Sequence, residues 1–305
     1  MAQMVNIIIN VIGPIFLVIG AAMLIGRRMN PDPRPLSTYL IYLFSPALVF
    51  RGFATLDLHA SSVVGMALVA LLIPLIMMVI GVVITHFRPW TPERKSAFIV
   101  CLFMINAANY GIPLNKFAFG DAAEPLALLF YSVQIVPANI MGIYFASRGA
   151  VSTKQAVLNV LRVPLTYAAL AGILANPAVG ILVVPIPIYR ALVDIAANAS
   201  IPVMLALLGL KLAQTQVRGL LRPVLLATAL RLILAPLISV PLALLLGLTG
   251  LPFKVAIVQS AMPTAVLAGA LTTEFGSDSE FTSAEIFVST MLSVLTLSVL
   301  LSVLG

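Results

Sequence analysis

The side chains best suited to bind a small polar ligand fall within eight positions of an otherwise apolar stretch. Asn106 and Asn109 carry amides, which donate N–H to a carboxylate or offer C=O to a cation. Tyr110 adds a phenol that either stacks on a ligand or anchors helix packing. Gly111 and Pro113 loosen and break a helix. The group therefore predicts a helix that is interrupted at a ligand-binding position.

A second polar interruption lies around Pro263, where Gln259, Ser260 and Thr264 interrupt another apolar stretch. These are weaker candidates, because Ser and Thr are common packing residues in membrane helices. Gln134, in a further apolar stretch, is expected to face the two interruptions. The predicted binding site therefore draws on three separate stretches of the chain.

The composition requires a membrane around these stretches. The chain is 61% hydrophobic and 9% charged, with a mean hydropathy of +1.14, whereas soluble domains are about 25% charged. The first apolar stretch is followed by Arg27 and Arg28, so no cleavable signal peptide is expected. Cys101 is the one cysteine and there are two histidines, which argues against a disulfide, a metal site or a catalytic pair. We expect neither an enzyme nor a bound cofactor.

A membrane helix needs about 20 apolar residues, and ten spans of this kind can be placed along the chain. Turn signals such as the Asn30–Pro33 segment separate them. The ten predicted spans are Asn6–Ile25, Leu36–Ala54, Val63–Thr85, Arg94–Phe119, Glu124–Ala146, Leu158–Ala175, Arg190–Leu212, Leu221–Leu246, Pro252–Phe275 and Ala284–Leu304.

Basic residues mark one side of the membrane. They follow the first, third, fifth and seventh spans. The positive-inside rule places loops rich in Lys and Arg in the cytoplasm. The residues are Arg27, Arg28, Arg34, Arg88, Arg94, Lys95, Arg148, Lys154, Lys211, Arg218 and Arg222. We therefore expect a multi-pass protein of the bacterial inner membrane with both termini on the outer side. The net charge of +7 reflects this topology and contact with the lipid bilayer, not nucleic acid.

The two halves of the chain match span by span, which predicts an internal repeat. Residues 1–150 and 151–305 each hold five spans, and the third and eighth spans share a central proline, Pro74 and Pro236. Because five is odd, the halves lie in opposite orientations, as in the inverted repeats of secondary transporters. The second half-helices would begin near Gly111–Pro113 and Pro263–Thr264. Their free N–H groups and positive dipole ends would form a site for an anion.

The segment Asn106–Leu114, Asn-Ala-Ala-Asn-Tyr-Gly-Ile-Pro-Leu, resembles the fourth span of the auxin efflux carrier family. The run from Met262 to Thr290, with Glu274-Phe275-Gly276 and Ser283-Ala284-Glu285-Ile286, is similar to the C-terminal end of that family. Pro46 in the second span fits as well. The short connection Ser147–Leu158 is typical of bacterial members, whereas plant members carry a long loop there.

The resemblance implies an all-α fold related to the bile acid:sodium symporters, in which discontinuous fourth and ninth helices cross. It implies a scaffold of helices 1, 2, 6 and 7, which pairs into a homodimer, and a mobile transport domain of helices 3–5 and 8–10. It also implies small organic anions as cargo, moved by an elevator-type alternating-access mechanism.

Two questions stay open at the level of the residues. Arg231 lies nine residues past Arg222, about 13 Å into the eighth span, and either binds the anion or pairs with an acid inside the bundle. No Asp or Glu lies at the middle of the fourth or ninth span, so no carboxylate is available there to couple transport to H⁺ or Na⁺. A sodium-coupled symporter of the bile acid type and a membrane ligand sensor without flux are the alternatives to a plain carrier.

Overall fold

The computed structural model describes residues 2–57, 62–147, 164–179, 181, 187–215 and 221–305, and the regular structure of these residues is helical. Three of the basic loop residues, the start of the predicted sixth span and the predicted boundary after residue 150 lie outside them. The helices are α1 Val5–Met29, α2 Arg34–Thr55, α3 Ser62–His86, α4 Pro92–Phe103, α5 Ile112–Phe119, α6 Ala123–Ala146, α7 Pro164–Ala175, α8 Pro187–Ala213, α9 Arg222–Leu245, α10 Gly250–Ser260, α11 Val266–Glu274 and α12 Ser279–Leu304.

Within the described residues, seven helices are long and apolar enough to cross a membrane, namely α1, α2, α3, α6, α8, α9 and α12. The apolar helix α7 is shorter. The predicted fourth and ninth spans are each divided into two short helices, α4 with α5 and α10 with α11. The prediction of an all-helical multi-pass membrane protein is confirmed at this level.

Prolines inside the spans coincide with wide helical turns. The π-helical turns in α1, α2 and α9, and another that leads into α5, each end two residues before a proline: Pro14, Pro46, Pro236 and Pro113. Proline has no N–H and its ring clashes with the carbonyl four residues earlier, so a regular α-turn cannot continue through it. The wider turn moves that carbonyl aside and lets the helix pass through the proline.

Close backbone contact joins α1 to α8 and α2 to α7. A Cβ added at Gly209 in α8 would lie 2.3 Å from the carbonyl oxygen of Ile19 in α1. One added at Gly172 in α7 would lie 2.6 Å from the carbonyl oxygen of Phe50 in α2. Small residues at such positions let membrane helices approach closely, and van der Waals packing then holds them together.

The substitution Gly209→Ala is therefore expected to lower the free energy of unfolding by about 1–3 kcal/mol, because a backbone carbonyl cannot move aside as a side chain can. Thermal unfolding of the detergent-purified protein measures the change as a lower Tm. Gly20→Ala in α1 is the matched control, since a Cβ at Gly20 meets no atom within 4 Å. Equal Tm values for the two variants would contradict the close contact.

Candidate functional site

The two interrupted helices meet at their breaks. The Asn106 N–H donates to the Pro263 carbonyl at 2.8 Å, and the Ala265 N–H donates to the Met104 carbonyl at 2.8 Å. These bonds frame a single antiparallel bridge between Ile105 and Thr264. Backbone groups freed from a helix in a membrane interior must find partners in the protein. Here each break supplies the partners of the other.

The first break begins at Met104, where the chain leaves α4. The α-helix after it, α5, begins at Ile112, within the expected Gly111–Pro113, and a π-helical turn at Ala107–Gly111 precedes it. Pro113 then sits in the first turn of α5, where its missing N–H costs little. The second break ends at Val266, slightly beyond the expected Pro263–Thr264.

Arg231 holds the other sides of both breaks. Its fully buried guanidinium donates to the carbonyls of Leu102 at 2.9 Å and Met262 at 3.0 Å, and also to that of Ser260. Leu102 is at the end of α4 and Ser260 ends α10. Helix C-termini carry unpaired carbonyls and a partial negative charge, which a cation stabilises. Arg231 therefore caps two helices at once, and the buried acid Glu285 is among its neighbours.

A cavity of about 160 Å³ opens beside the first break. Its walls come from the first half of α2, the first break, the middle of α6, the end of α8 and the start of α11. The polar and charged residues that line it are Ser37, Ser45, Asn106, Asn109, Tyr131, Gln134 and Lys211. The sequence-predicted residues Asn106, Asn109 and Gln134 are thus brought together in one cavity.

Two amides in this cavity have hydrogen-bonding capacity to spare. The Nδ2 of Asn106 and the Oε1 of Gln134 are buried, and neither finds a partner within the described residues. Buried polar groups are nearly always satisfied, so an orphaned pair marks a place for water or a ligand. Asn109 is half-buried on the same wall. The amides can therefore bind a polar ligand without first giving up a protein partner.

Two elements bring positive charge to the cavity. Lys211, near the end of α8, is half-buried and is the one charged side chain among the described residues that line the cavity. The lining residues Ala265, Val266 and Leu267 form the start of α11. A helix start presents unpaired N–H groups and a partial positive charge. This combination suits a small anion such as a carboxylate.

The remaining predicted site residues do not line the cavity. Tyr110 is fully buried, packs edge-on against Phe16 with ring centroids 5.8 Å apart, and accepts from the Ser293 hydroxyl at 3.4 Å. Of the two roles proposed for Tyr110, these contacts match helix packing. Gly111 packs on Gln259, because an added Cβ would lie 2.2 Å from the Gln259 Oε1.

The polar residues of the second break serve the break itself. The Gln259 Nε2 donates to the Ala127 carbonyl at 3.3 Å, and the Ser260 hydroxyl donates to the Ala256 carbonyl at 2.8 Å. The Thr264 hydroxyl donates to the Cys101 carbonyl at 2.8 Å, which ties the second break to α4. In this structure these side chains, like Pro263 and Arg231, shape the site without lining its cavity.

The sequence did not identify two charged residues that belong near this site. Lys211 was interpreted as a topology determinant, and Glu285 as the start of the last span. Glu285 is fully buried, and its polar neighbours include Arg231 and Thr264. The predicted span Ala284–Leu304 placed Glu285 at the end of a helix, but α12 begins at Ser279, so Glu285 lies six positions inside it.

The cavity continues toward one end of the bundle, where α2 begins and α8 and α11 end; we call this the Lys211 end. A wider vestibule of about 500 Å³ adjoins it there, and Lys211 and Val266 line both spaces. The vestibule also carries the charged side chains of Arg34 and Glu274. A charged ligand can therefore reach the amides along a polar route.

At the opposite end, the Arg51 end, ion pairs join four helices. Arg51 in α2 bonds Glu124 in α6 at 2.6 Å and Asn198 in α8 at 2.7 Å. Lys116 in α5 bonds the other oxygen of Glu124 at 2.5 Å. The site is therefore closed by charged contacts at this end, whereas it is reached through a cavity at the Lys211 end.

Comparison with known proteins indicates a membrane transporter. Residues 148–301 match the family model described as membrane transport protein. A transporter of uncharacterised function from Methanothermobacter thermautotrophicus is 27% identical over 288 residues, covering 90% of this chain and 89% of the relative. A second uncharacterised transporter, from Methanocaldococcus jannaschii, is 21% identical over 279 residues, covering 90% of each chain.

Proposed function

The chain belongs to the membrane transport protein family, the auxin-efflux-carrier-like group that its motifs indicate, and from this premise we propose that it is a secondary carrier of small organic anions. The cavity at the first break carries the proposal. It combines two unpartnered amide atoms, a lysine and the start of a helix. These groups complement a carboxylate by hydrogen bonds and by charge.

The size of the cavity sets the class of cargo. At about 160 Å³ it is smaller than the 300–1,000 Å³ sites that hold drug-sized ligands. Carboxylates of a few carbon atoms, such as malonate and malate, suit it better than large amphipathic anions. Lys211 and the start of α11 are two separate partners for negative charge, so a dicarboxylate would have one for each carboxylate.

We further propose the ten-span architecture that the sequence predicts, with residues 1–150 and 151–305 as inverted repeats and the two broken helices crossing. The close packing of α1 on α8 and of α2 on α7 supports a scaffold of these four helices, through which two copies would pair. The other helices would form the transport domain. The charged contacts of Arg51 and Glu124 would then join scaffold to transport domain, and would separate when the domain moves.

The positive-inside rule places the Lys211 end in the cytoplasm, so the structure would represent the inward-open state of a plasma-membrane carrier. The cavity is then reached from the cytoplasm through the vestibule, and the Arg51–Glu124–Lys116 contacts close the outer side. In an elevator-type cycle, movement of the transport domain would carry the cavity past the scaffold. The cavity would then open to the outer side and be closed to the cytoplasm.

The experiment that tests this function is thermal unfolding of the purified protein against a panel of mono- and dicarboxylates, with and without Na⁺. A ligand that binds the folded state stabilises it by mass action and so raises the Tm. At a ligand concentration of 100 times the Kd, the free energy of unfolding increases by about 2.7 kcal/mol. We expect a dicarboxylate hit that is lost in Asn109→Ala and kept in Asn10→Ala, a change at an exposed amide away from the cavity.

Uptake of the hit into liposomes then distinguishes a carrier from a sensor, which would bind without flux. Equal uptake by Asn109→Ala and the unchanged protein would contradict the assignment of the cavity. Binding that requires Na⁺ would favour the sodium-coupled alternative over a carrier without sodium.

A further inference from the structure

Glu285 is a buried carboxylate that the proposed binding of cargo does not use. It lies in α12, about 9 Å past the helix start at 1.5 Å per residue, and its side chain is fully buried. Its polar neighbours are the hydroxyls of Thr264 and Ser289, the thiol of Cys101 and the guanidinium of Arg231. The carboxylate therefore contacts both broken helices at the point where they meet.

The hydroxyl groups around Glu285 have already committed their hydrogens. The Thr264 hydroxyl donates to the Cys101 carbonyl at 2.8 Å, and the Ser289 hydroxyl donates to the Ile286 carbonyl at 3.3 Å. Neither oxygen of Glu285 has a hydrogen-bond partner within the described residues. An ionised carboxylate only accepts, whereas a protonated carboxyl also donates. A proton on Glu285 can therefore be donated to the lone pairs that these hydroxyls keep free, while the ionised form has Arg231 as its neighbouring cation, so each charge state has a partner.

A sodium ion fits this place less well than a proton. Sodium would need backbone carbonyls at the breaks as ligands, but Arg231 already binds those of Leu102, Ser260 and Met262. The guanidinium thus occupies the position of a bound cation. A second full positive charge beside it would be repelled, whereas a proton joins the carboxylate itself and needs no further ligand.

Few other charges influence this carboxyl group. Among the described residues, Arg231 from α9 and Cys101 from α4 are the titratable groups that face it. Asp278, which caps the start of α12 about two turns before Glu285, is paired with Arg94 at 2.6 Å. The parts of α1, α10 and α11 that the structure describes present no titratable group to it. Its charge state therefore depends on its burial first, and then on the neighbouring Thr264 hydroxyl and Arg231.

The vestibule at the Lys211 end extends to the neighbours of Glu285 in the chain. Ser283 and Ile286 of α12 line this space of about 500 Å³, whereas Glu285 itself is fully buried beside it. The proposed exchange of a proton with the vestibule therefore requires the Glu285 side chain or its neighbours to move. On the other side Glu285 neighbours Thr264, one residue before the Ala265 that lines the cargo cavity. A change of charge at Glu285 therefore changes the electrostatic potential where the cargo binds.

We propose that Glu285 is the proton-binding site that couples this carrier to the proton gradient. This proposal rests on the proposed carrier function. Glu285 takes one proton from water on one side of the membrane and crosses in the neutral form together with the cargo anion. It then returns the proton to water on the other side, so no proton is gained or lost in the cycle. Protonation removes the one carboxylate charge beside Arg231. The net charge near the breaks is then more positive than with ionised Glu285, which favours binding of the anion. Proton and anion then favour each other's binding.

The first test needs no cargo. Infrared difference spectra of the purified full chain between about pH 6 and pH 8.5 detect carboxyl groups that titrate there, a range in which exposed carboxyls stay ionised. We expect a protonated-carboxyl band that falls as the pH rises, disappears in Glu285→Gln and persists in Glu280→Gln, an exposed residue of the same helix. A band that Glu285→Gln leaves unchanged, or no band at all, would overturn the proposal.

The second test uses radiolabelled malonate in proteoliposomes. With the membrane potential held at zero, because one proton and one malonate dianion together carry a net negative charge, the unchanged protein and Glu280→Gln should accumulate malonate roughly tenfold per unit of imposed pH gradient. Glu285→Gln should lose this accumulation. Glu285→Asp, which keeps a titratable carboxyl, should restore part of it and show that the loss is not misfolding. Accumulation driven by Na⁺ instead of the pH gradient, or driven normally in Glu285→Gln, would refute the coupling role. If no protein moves malonate, the cargo assignment fails, and the infrared result still decides whether Glu285 binds the proton.

Discussion

Replacing Arg231 by Leu is expected to leave little or no folded protein. The substitution keeps a bulky apolar side chain but removes the donors that satisfy the carbonyls of Leu102, Ser260 and Met262. Each buried acceptor left without a donor costs about 1–3 kcal/mol. It also leaves Glu285 without its neighbouring cation, and an uncompensated buried charge costs about 3–5 kcal/mol. The sum is comparable with the whole stability of a typical protein, about 5–15 kcal/mol.

The yield of monodisperse protein after detergent extraction, together with its Tm, measures this loss. Arg222→Leu in the same helix is the control, because Arg222 is exposed. Arg231→Lys should recover only part of the stability, since an ammonium lacks the planar fork that reaches both helix ends. Adding Glu285→Gln to Arg231→Leu should also recover part of it. Normal yield and Tm for Arg231→Leu would show that the breaks do not depend on this cap.

The sequence predicted the location of the site because a break in a membrane helix needs unusual residues. Asn, Gly and Pro are costly in an apolar span, so their clustering around Asn106 indicated a local constraint. The same reasoning found the second break at Pro263. It placed the start of the second half-helix at Gly111–Pro113, where α5 begins, but it did not predict the π-helical turn at Ala107–Gly111 before it. A proline is suited to the first turn of a helix and does not indicate how the chain approaches that turn.

The charged partners of the site could not be predicted in the same way. Lys211 lies close to a loop, where positive charge already has an explanation in topology. Glu285 lies in a different span from both breaks, and the sequence does not show which face of α12 packs on them. Arg231 was noticed for its depth, but its bonds go to backbone carbonyls, which every residue possesses. These roles depend on contacts between helices that are far apart in the sequence, and the pattern of neighbouring residues does not predict such contacts.

Lys211→Gln is expected to weaken dicarboxylate binding by about 10- to 100-fold, which corresponds to losing a charge-assisted hydrogen bond of about 1.5–3 kcal/mol. Lys211 is the one charged side chain among the described residues lining the cavity, and it also lines the vestibule. Glutamine keeps much of the length and can still donate, so the charge is the main change. Titration by thermal unfolding, or by isothermal calorimetry with the hit from the carboxylate panel, measures the Kd.

Lys254→Gln removes the same charge at a distant place, where the lysine donates to the Gly305 carbonyl at 2.9 Å, and it should leave the Kd unchanged. Lys211→Arg should keep most of the affinity, because it keeps the charge.

A further expectation separates the role of Lys211 in the cavity from a general effect on anions entering the vestibule. In the cavity its loss should reduce the affinity for dicarboxylates more than for monocarboxylates, since a monocarboxylate still has the start of α11 as its partner. An equal loss for both classes would instead place the action of Lys211 in the vestibule.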